Sequence, residues 1–114
     1  STAALEVETD NEVTLFDEDV TSRVQVLHRH ARHVALRGPG MIVVCVGSTH
    51  SGTVVVPIRL RGVLDPSRRY AIGLFNSERD SWEFSDERVA SSLDDLSVVI
   101  EAGGFRVIAL QEEA

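Results

Sequence analysis

The chain has 114 residues, 43% of them hydrophobic, which suits one folded domain over residues 1–114 and not a disordered segment. Its formal net charge of −7 argues against nucleic acid as a partner, because phosphate binding is driven by basic surface. The longest apolar run, residues 41–46, is strand-sized and far short of the roughly 20 residues of a membrane span, so no membrane partner is expected.

The opening residues, Ser-Thr-Ala-Ala-Leu-Glu, lack the basic-then-apolar order of a signal peptide. Met41 is the only methionine, so the chain is expected to be a processed product or a piece of something longer. Cys45 is also single, which leaves no internal disulfide and no Cys-based zinc site. Its neighbours Val44 and Val46 predict a buried, inert thiol. One cysteine and no signal peptide together favour a reducing, cytoplasmic setting.

Taken in order, residues 3–8 alternate apolar and acidic, as a half-buried first strand would. Asp10-Asn11 turns into a second short strand at 13–16. Alternation returns at 23–28, with Val24 and Val26 on one face, and at 33–37, with Val34 and Leu36 on one face. Gly38-Pro39-Gly40 breaks the chain sharply. Residues 41–46 are apolar on both faces, the pattern of a central strand covered on both sides. Residues 47–52 have hairpin length and turn composition, which predicts that 41–46 pairs with 53–62. Pro57 cannot donate to a ladder and marks an edge position or a bulge in that partner.

Asp65-Pro66-Ser67 is a turn, followed by a strand at 70–75, a polar turn at 76–80 and a short strand at 82–84. Residues 86–95 hold at most one short helical turn, since Ser91-Ser92 and Asp94-Asp95 favour caps over helix interiors. Residues 96–101 and 105–110 read as a closing hairpin around Gly103-Gly104. The fold class that follows is all-β, an antiparallel β-sandwich of about seven to nine strands.

Chemistry is sparse. His28, His30 and His33 could ligate a metal, but no carboxylate lies among them to orient the rings and Arg29 and Arg32 add positive charge, so they read first as a solvated loop. With Arg23 and Arg37 the same segment forms a basic island suited to a phosphate, an acidic partner or another domain's carboxylates. Arg68-Arg69 reads likewise, as a solvated turn or a second point of contact. Tyr70, Phe75, Trp82 and Phe84 offer rings to a sugar, with core packing as the alternative. There is no nucleophile elbow, no phosphate loop and no cofactor motif, and adjacent acids such as Asp94-Asp95 diverge on a regular element.

Arg61-Gly62-Val63-Leu64-Asp65-Pro66, then Arg69-Tyr70-Ala71-Ile72-Gly73-Leu74-Phe75-Asn76, resembles the small β-sandwich found C-terminal to the catalytic barrel in many glycoside hydrolases, starch-debranching enzymes among them. Those domains often carry a strand ending in a Phe-Asn pair and finish with a hairpin like 96–100 and 105–110. The resemblance covers about residues 62–110 and implies a non-catalytic module that packs against an enzyme core and sometimes touches sugar. It carries over no catalytic residue, because that family keeps its acids in the barrel.

The sequence therefore reads as an accessory or interaction domain of a larger carbohydrate-active enzyme, partnered by other domains or subunits. Its candidate ligand-binding residues are Trp82, Tyr70, Asn76, Arg68 and Arg69. One alternative is an independent subunit that self-associates through an edge near Pro57. Another is a metal-binding enzyme built on the three histidines.

Overall fold

Residues 41–46 are apolar on both faces because the strand they form lies in the middle of the larger sheet. The computed structural model describes residues 5–9, 12–76, 81–89, 93 and 95–113, with the backbone alone at 5–9, 12–15, 76 and 82–89. The strands are β1 (Leu5–Thr9), β2 (Glu12–Phe16), β3 (Glu18–Asp19), β4 (Gln25–Val26), β5 (Ala31–Gly38), β6 (Met41–Ser48), β7 (Val54–Arg59), β8 (Arg69–Asn76), β9 (Ser81–Val89), β10 (Asp95–Ile100) and β11 (Phe105–Glu112). Nine of these have five residues or more, and β3 and β4 have two each.

The strands make a six-stranded sheet in the order β3-β5-β6-β11-β8-β9, a three-stranded sheet β10-β7-β4 and the two-stranded hairpin β1-β2. Every pairing is antiparallel. The six- and three-stranded sheets face each other as a sandwich. Between them lie Ala35, Val44, Val46, Val56, Ile58, Ile100, Ile108 and Leu110, joined by Leu60 and Leu93. Fully burying a side chain of this size contributes about 1.5–3 kcal/mol, and this layer is where most of that gain is made. Phe16, at the end of β2, covers part of the opposite face of the large sheet over Leu36, Met41, Val43 and Ala109. That second cover explains the doubly apolar pattern of β6.

The turn at Gly38-Pro39-Gly40 closes β5 onto β6, with Gly38 opposite Met41. Gly40 has φ of 67°, a conformation open to glycine, and Pro39 presets the position before it. Two other turns differ from expectation. Residues 47–52 do not close a hairpin, since β6 pairs with β5 and β11 while β7 pairs with β10 and β4. Gly103-Gly104 likewise joins β10 to β11 across the sandwich, not within one sheet. Both are corners at which the chain leaves one sheet for the other. Their turn composition is that of a hairpin, because a sharp reversal needs the same residues in either case.

Pro57 is not at a sheet edge as expected: β7 is the middle strand of the small sheet, between β10 and β4, so the edge near Pro57 through which self-association was expected is covered. The Pro57 carbonyl accepts from the Leu27 N–H at 2.9 Å, on the side where β4 has ended at Val26. In a strand the nitrogen points to that same side, so the donor that proline lacks is the one that would face Leu27, and the β4–β7 ladder stops there. Residues 23–28 contain only the two-residue β4, preceded by a 3-10 turn at Thr21–Arg23. The helical turn expected over 86–95 falls partly outside the described residues, while 86–89 belong to β9 and Asp95 opens β10.

Candidate functional site

Strand direction sorts the loops into two ends. At one, residues 27–30, 49–53 and 101–104 meet; at the other lie the 3-10 turn, the turn after β5 and the long connection between β7 and β8. The candidate ligand residues from the sequence are divided between them. Arg68, Arg69 and Tyr70 sit at the second end, while Asn76 and Trp82 lie toward the first, six residues further along β8 from Tyr70 and across on β9, a separation of roughly 20 Å along the strand. Trp82 pairs through its backbone with Phe75, and Asn76 with Ser81.

At the first end the histidines are gathered, in a different set from the one the spacing suggested. His28 and His30 have ring centroids 5.8 Å apart, and His30 and His50 4.9 Å apart. His33 is drawn away, its Nε2 3.0 Å from the Thr21 carbonyl oxygen. His50 thus takes the third place, which no sequence pattern announced because it comes from a separate loop. The loops are tied by main-chain bonds: Thr49 N–H and hydroxyl both donate to the His30 carbonyl, and Gly103 N–H donates to the His50 carbonyl. Arg29 Nε donates to His30 Nε2 at 3.2 Å, Gly52 N–H to His50 Nδ1 at 2.9 Å.

Burial, then the positive charges of Arg29, His50, His28 and Arg32, hold the His30 pKa below its ordinary value. Among the described residues no group of three or more His, Cys, Asp or Glu side chains is arranged to hold a metal ion. The imidazoles here are occupied with the backbone and with Arg29, and the arrangement is a clasp between loops.

The outer face of the large sheet near this end is apolar. Val34, Cys45 and Val107 lie opposite one another in register, with Phe75 in the neighbouring strand and Phe105 two residues along β11. Phe105 is 61% exposed and Val34 42%. Cys45 is half-buried here, not fully buried as its neighbours suggested, and desolvation pushes its thiol pKa up.

The second end holds two clefts that meet at Gly62. The first, about 390 Å³, is lined by Arg37, Met41, Val63, Asp65, Tyr70 and Glu112 among others. Tyr70 is 3% exposed, and its hydroxyl accepts from the Asp65 N–H at 2.8 Å. Tyr70 belongs to the buried core as well as to the cleft lining. Asp65 also accepts from the Ser67 hydroxyl and N–H, which lowers its pKa, and so fixes the Asp65-Pro66-Ser67 turn. Arg68 pairs with Glu112 at 3.1 Å, and Arg37 donates to the Val63 carbonyl.

The second cleft, about 480 Å³, is lined by Ser22, Arg23, Gln25, Arg59, Arg61, Gly62 and Asp95. Gln25, Arg59 and Asp95 are direct neighbours in register across the three strands of the small sheet. Arg59 Nε lies 3.5 Å from Asp95 Oδ1, and Arg23 lies 3.8 Å from Glu18. No local sequence pattern brings Arg23, Arg59 and Arg61 together, since β4 and β7 are joined only by tertiary pairing.

No protein-family model matches the chain, and no curated protein sequence matches it. Among solved structures, the fold matches part of a Bacillus halodurans C-125 protein assigned as an α-N-acetylgalactosaminidase, with a TM-score of 0.58 and 15% sequence identity. The match takes in 85% of this chain and 21% of that one, so the chain spans about a fifth of the length of that protein. At this identity the likeness is one of fold.

Proposed function

We propose that the chain is a non-catalytic accessory β-sandwich of a larger carbohydrate-active enzyme, docked against the neighbouring parts of that enzyme. The observation that carries this reading is the fold match to a fraction of a glycosidase chain, the proportion expected of a module beside a catalytic unit. The apolar row Val34, Cys45, Val107 and Phe75, with Phe105 beside it, supports it further: such a face suits burial against a neighbouring domain. The test is to read the parent reading frame. A catalytic glycosidase domain is expected next to this chain, and a frame that encodes the sandwich by itself would sink the idea.

The same apolar face favours one second reading, a self-associating subunit. Light scattering on a chromatographed sample decides it: a concentration-dependent dimer supports self-association, and a strict monomer at high concentration removes it.

A further inference from the structure

The cleft at the arginine end has the chemistry of a ligand site, and its lining restricts what that ligand is. Its volume of about 480 Å³ falls among small-ligand clefts, about 300–1,000 Å³. Five structural segments contribute: the 3-10 turn, β4, β7, the connection after β7 and β10. The walls are fixed at Gly62, where any Cβ would collide with the Arg23 carbonyl oxygen, so the turn after β7 closes tightly on the 3-10 turn. Among the described residues this lining holds three arginines, Arg23, Arg59 and Arg61, and one carboxylate, Asp95, with Glu18 beside Arg23 at 3.8 Å, so basic groups outnumber acidic ones here in a chain of net charge −7.

We propose that this cleft binds a sugar bearing an oxyanion, a carboxylate or a sulfate, with the oxyanion held by Arg23 and Arg59 and the hydroxyls by Asp95 and Gln25. The existing ion pairs yield readily to such a group. The Arg23–Glu18 and Arg59–Asp95 contacts are 3.8 and 3.5 Å long, and their side chains are 50–83% exposed, so water screens them. A planar guanidinium grips an oxyanion through two parallel N–H bonds, which a single long contact does not equal.

Asp95 argues against a bare anion, which it would repel, and for a ligand that also presents hydroxyl donors. Among the described residues no aromatic side chain lines the cleft, and a neutral sugar gains much of its hold from a ring face. Charge is what this cleft offers, so it selects acidic sugars over neutral ones. The acidic remainder of the chain repels a long polyanion, which points to a short or chain-terminal acidic sugar. The proposal rests on the accessory-domain reading only for the ligand's being a saccharide.

The test is a titration of the full isotope-labelled chain with galacturonic acid, galactose 6-sulfate, galactose and inorganic phosphate, following Arg Nε–Hε and backbone amide resonances. Saturable shifts at Arg23 and Arg59 with one or both acidic sugars, and none with galactose, are expected. The carboxylate and sulfate arms tell the two oxyanions apart. R59A should weaken binding at least tenfold, and R59K, which keeps the fold and charge but loses the fork, should also weaken it. R29A, at the opposite end, should leave binding unchanged. Equal shifts with galactose or with phosphate, or no saturable shift with either acidic sugar, overturn the proposal. A parent frame without a glycosidase would remove the accessory reading while leaving a positive titration standing, so the two failures are distinguishable.

Discussion

Single residues decide how the two ends of the sandwich are held. Gly62 is needed because the Arg23 carbonyl occupies the space a Cβ would fill. Gly62→Ala should therefore cost about 1–3 kcal/mol, through forced separation of the two turns. Urea unfolding of the two proteins measures it, and an unchanged midpoint would show that the turns give way freely. His30 makes a pH-dependent contribution. Its folded-state pKa lies below the ordinary 6.5, so in that window the unfolded chain binds more protons than the folded one. The stability it supports is complete above pH 6.5 and is lost as pH falls through the folded-state pKa. The wild-type midpoint should drop between pH 7 and pH 5 more steeply than that of His30→Gln; parallel curves for the two would refute the claim. Legibility at this scale was mixed. The Asp65-Pro66-Ser67 turn could be read directly, because an Asx side chain and a preset proline act within a few residues. The partnership of His30 with His50 could not, because it depends on where two loops end.

Among the elements, β6 was the most legible and β7 the most misleading. Apolar residues on both faces of β6 require cover on both, and the structure supplies it from β7 and β10 on one side and Phe16 on the other. In β7 the alternation is clean. Val54, Val56 and Ile58 are buried, while Val55 and Arg59 are exposed. Ile58→Ala should cost about 2–5 kcal/mol, since a fully buried side chain leaves a cavity, whereas Val55→Ala, at 58% exposure, should stay within about 0.5 kcal/mol. Thermal or urea denaturation of the pair compares them directly, and similar losses would contradict the assignment of faces. The misleading part was the partner. A loop of glycine, serine and histidine between two apolar runs fits a hairpin and a sandwich corner equally. The choice depends on which sheet has room for the strand, and that is not a local property.

For the whole molecule, the sandwich gathers three histidines at one end and an arginine-lined cleft at the other, and leaves an apolar face on the large sheet. Nothing in the order of residues joins Arg23, Arg59 and Asp95; they meet because β4 and β10 flank β7 in matching register. The sequence by itself determined the all-β class, the positions of most of the longer strands, the two faces of β7 and the central place of β6. It could do so because period-two alternation and turn chemistry are encoded within a few neighbouring residues. Only the tertiary structure decided sheet membership, the three-histidine clasp and the arginine cleft. Each of these follows from long-range pairing, whose register is selected by burial of the shared core and not by any residue's immediate neighbours.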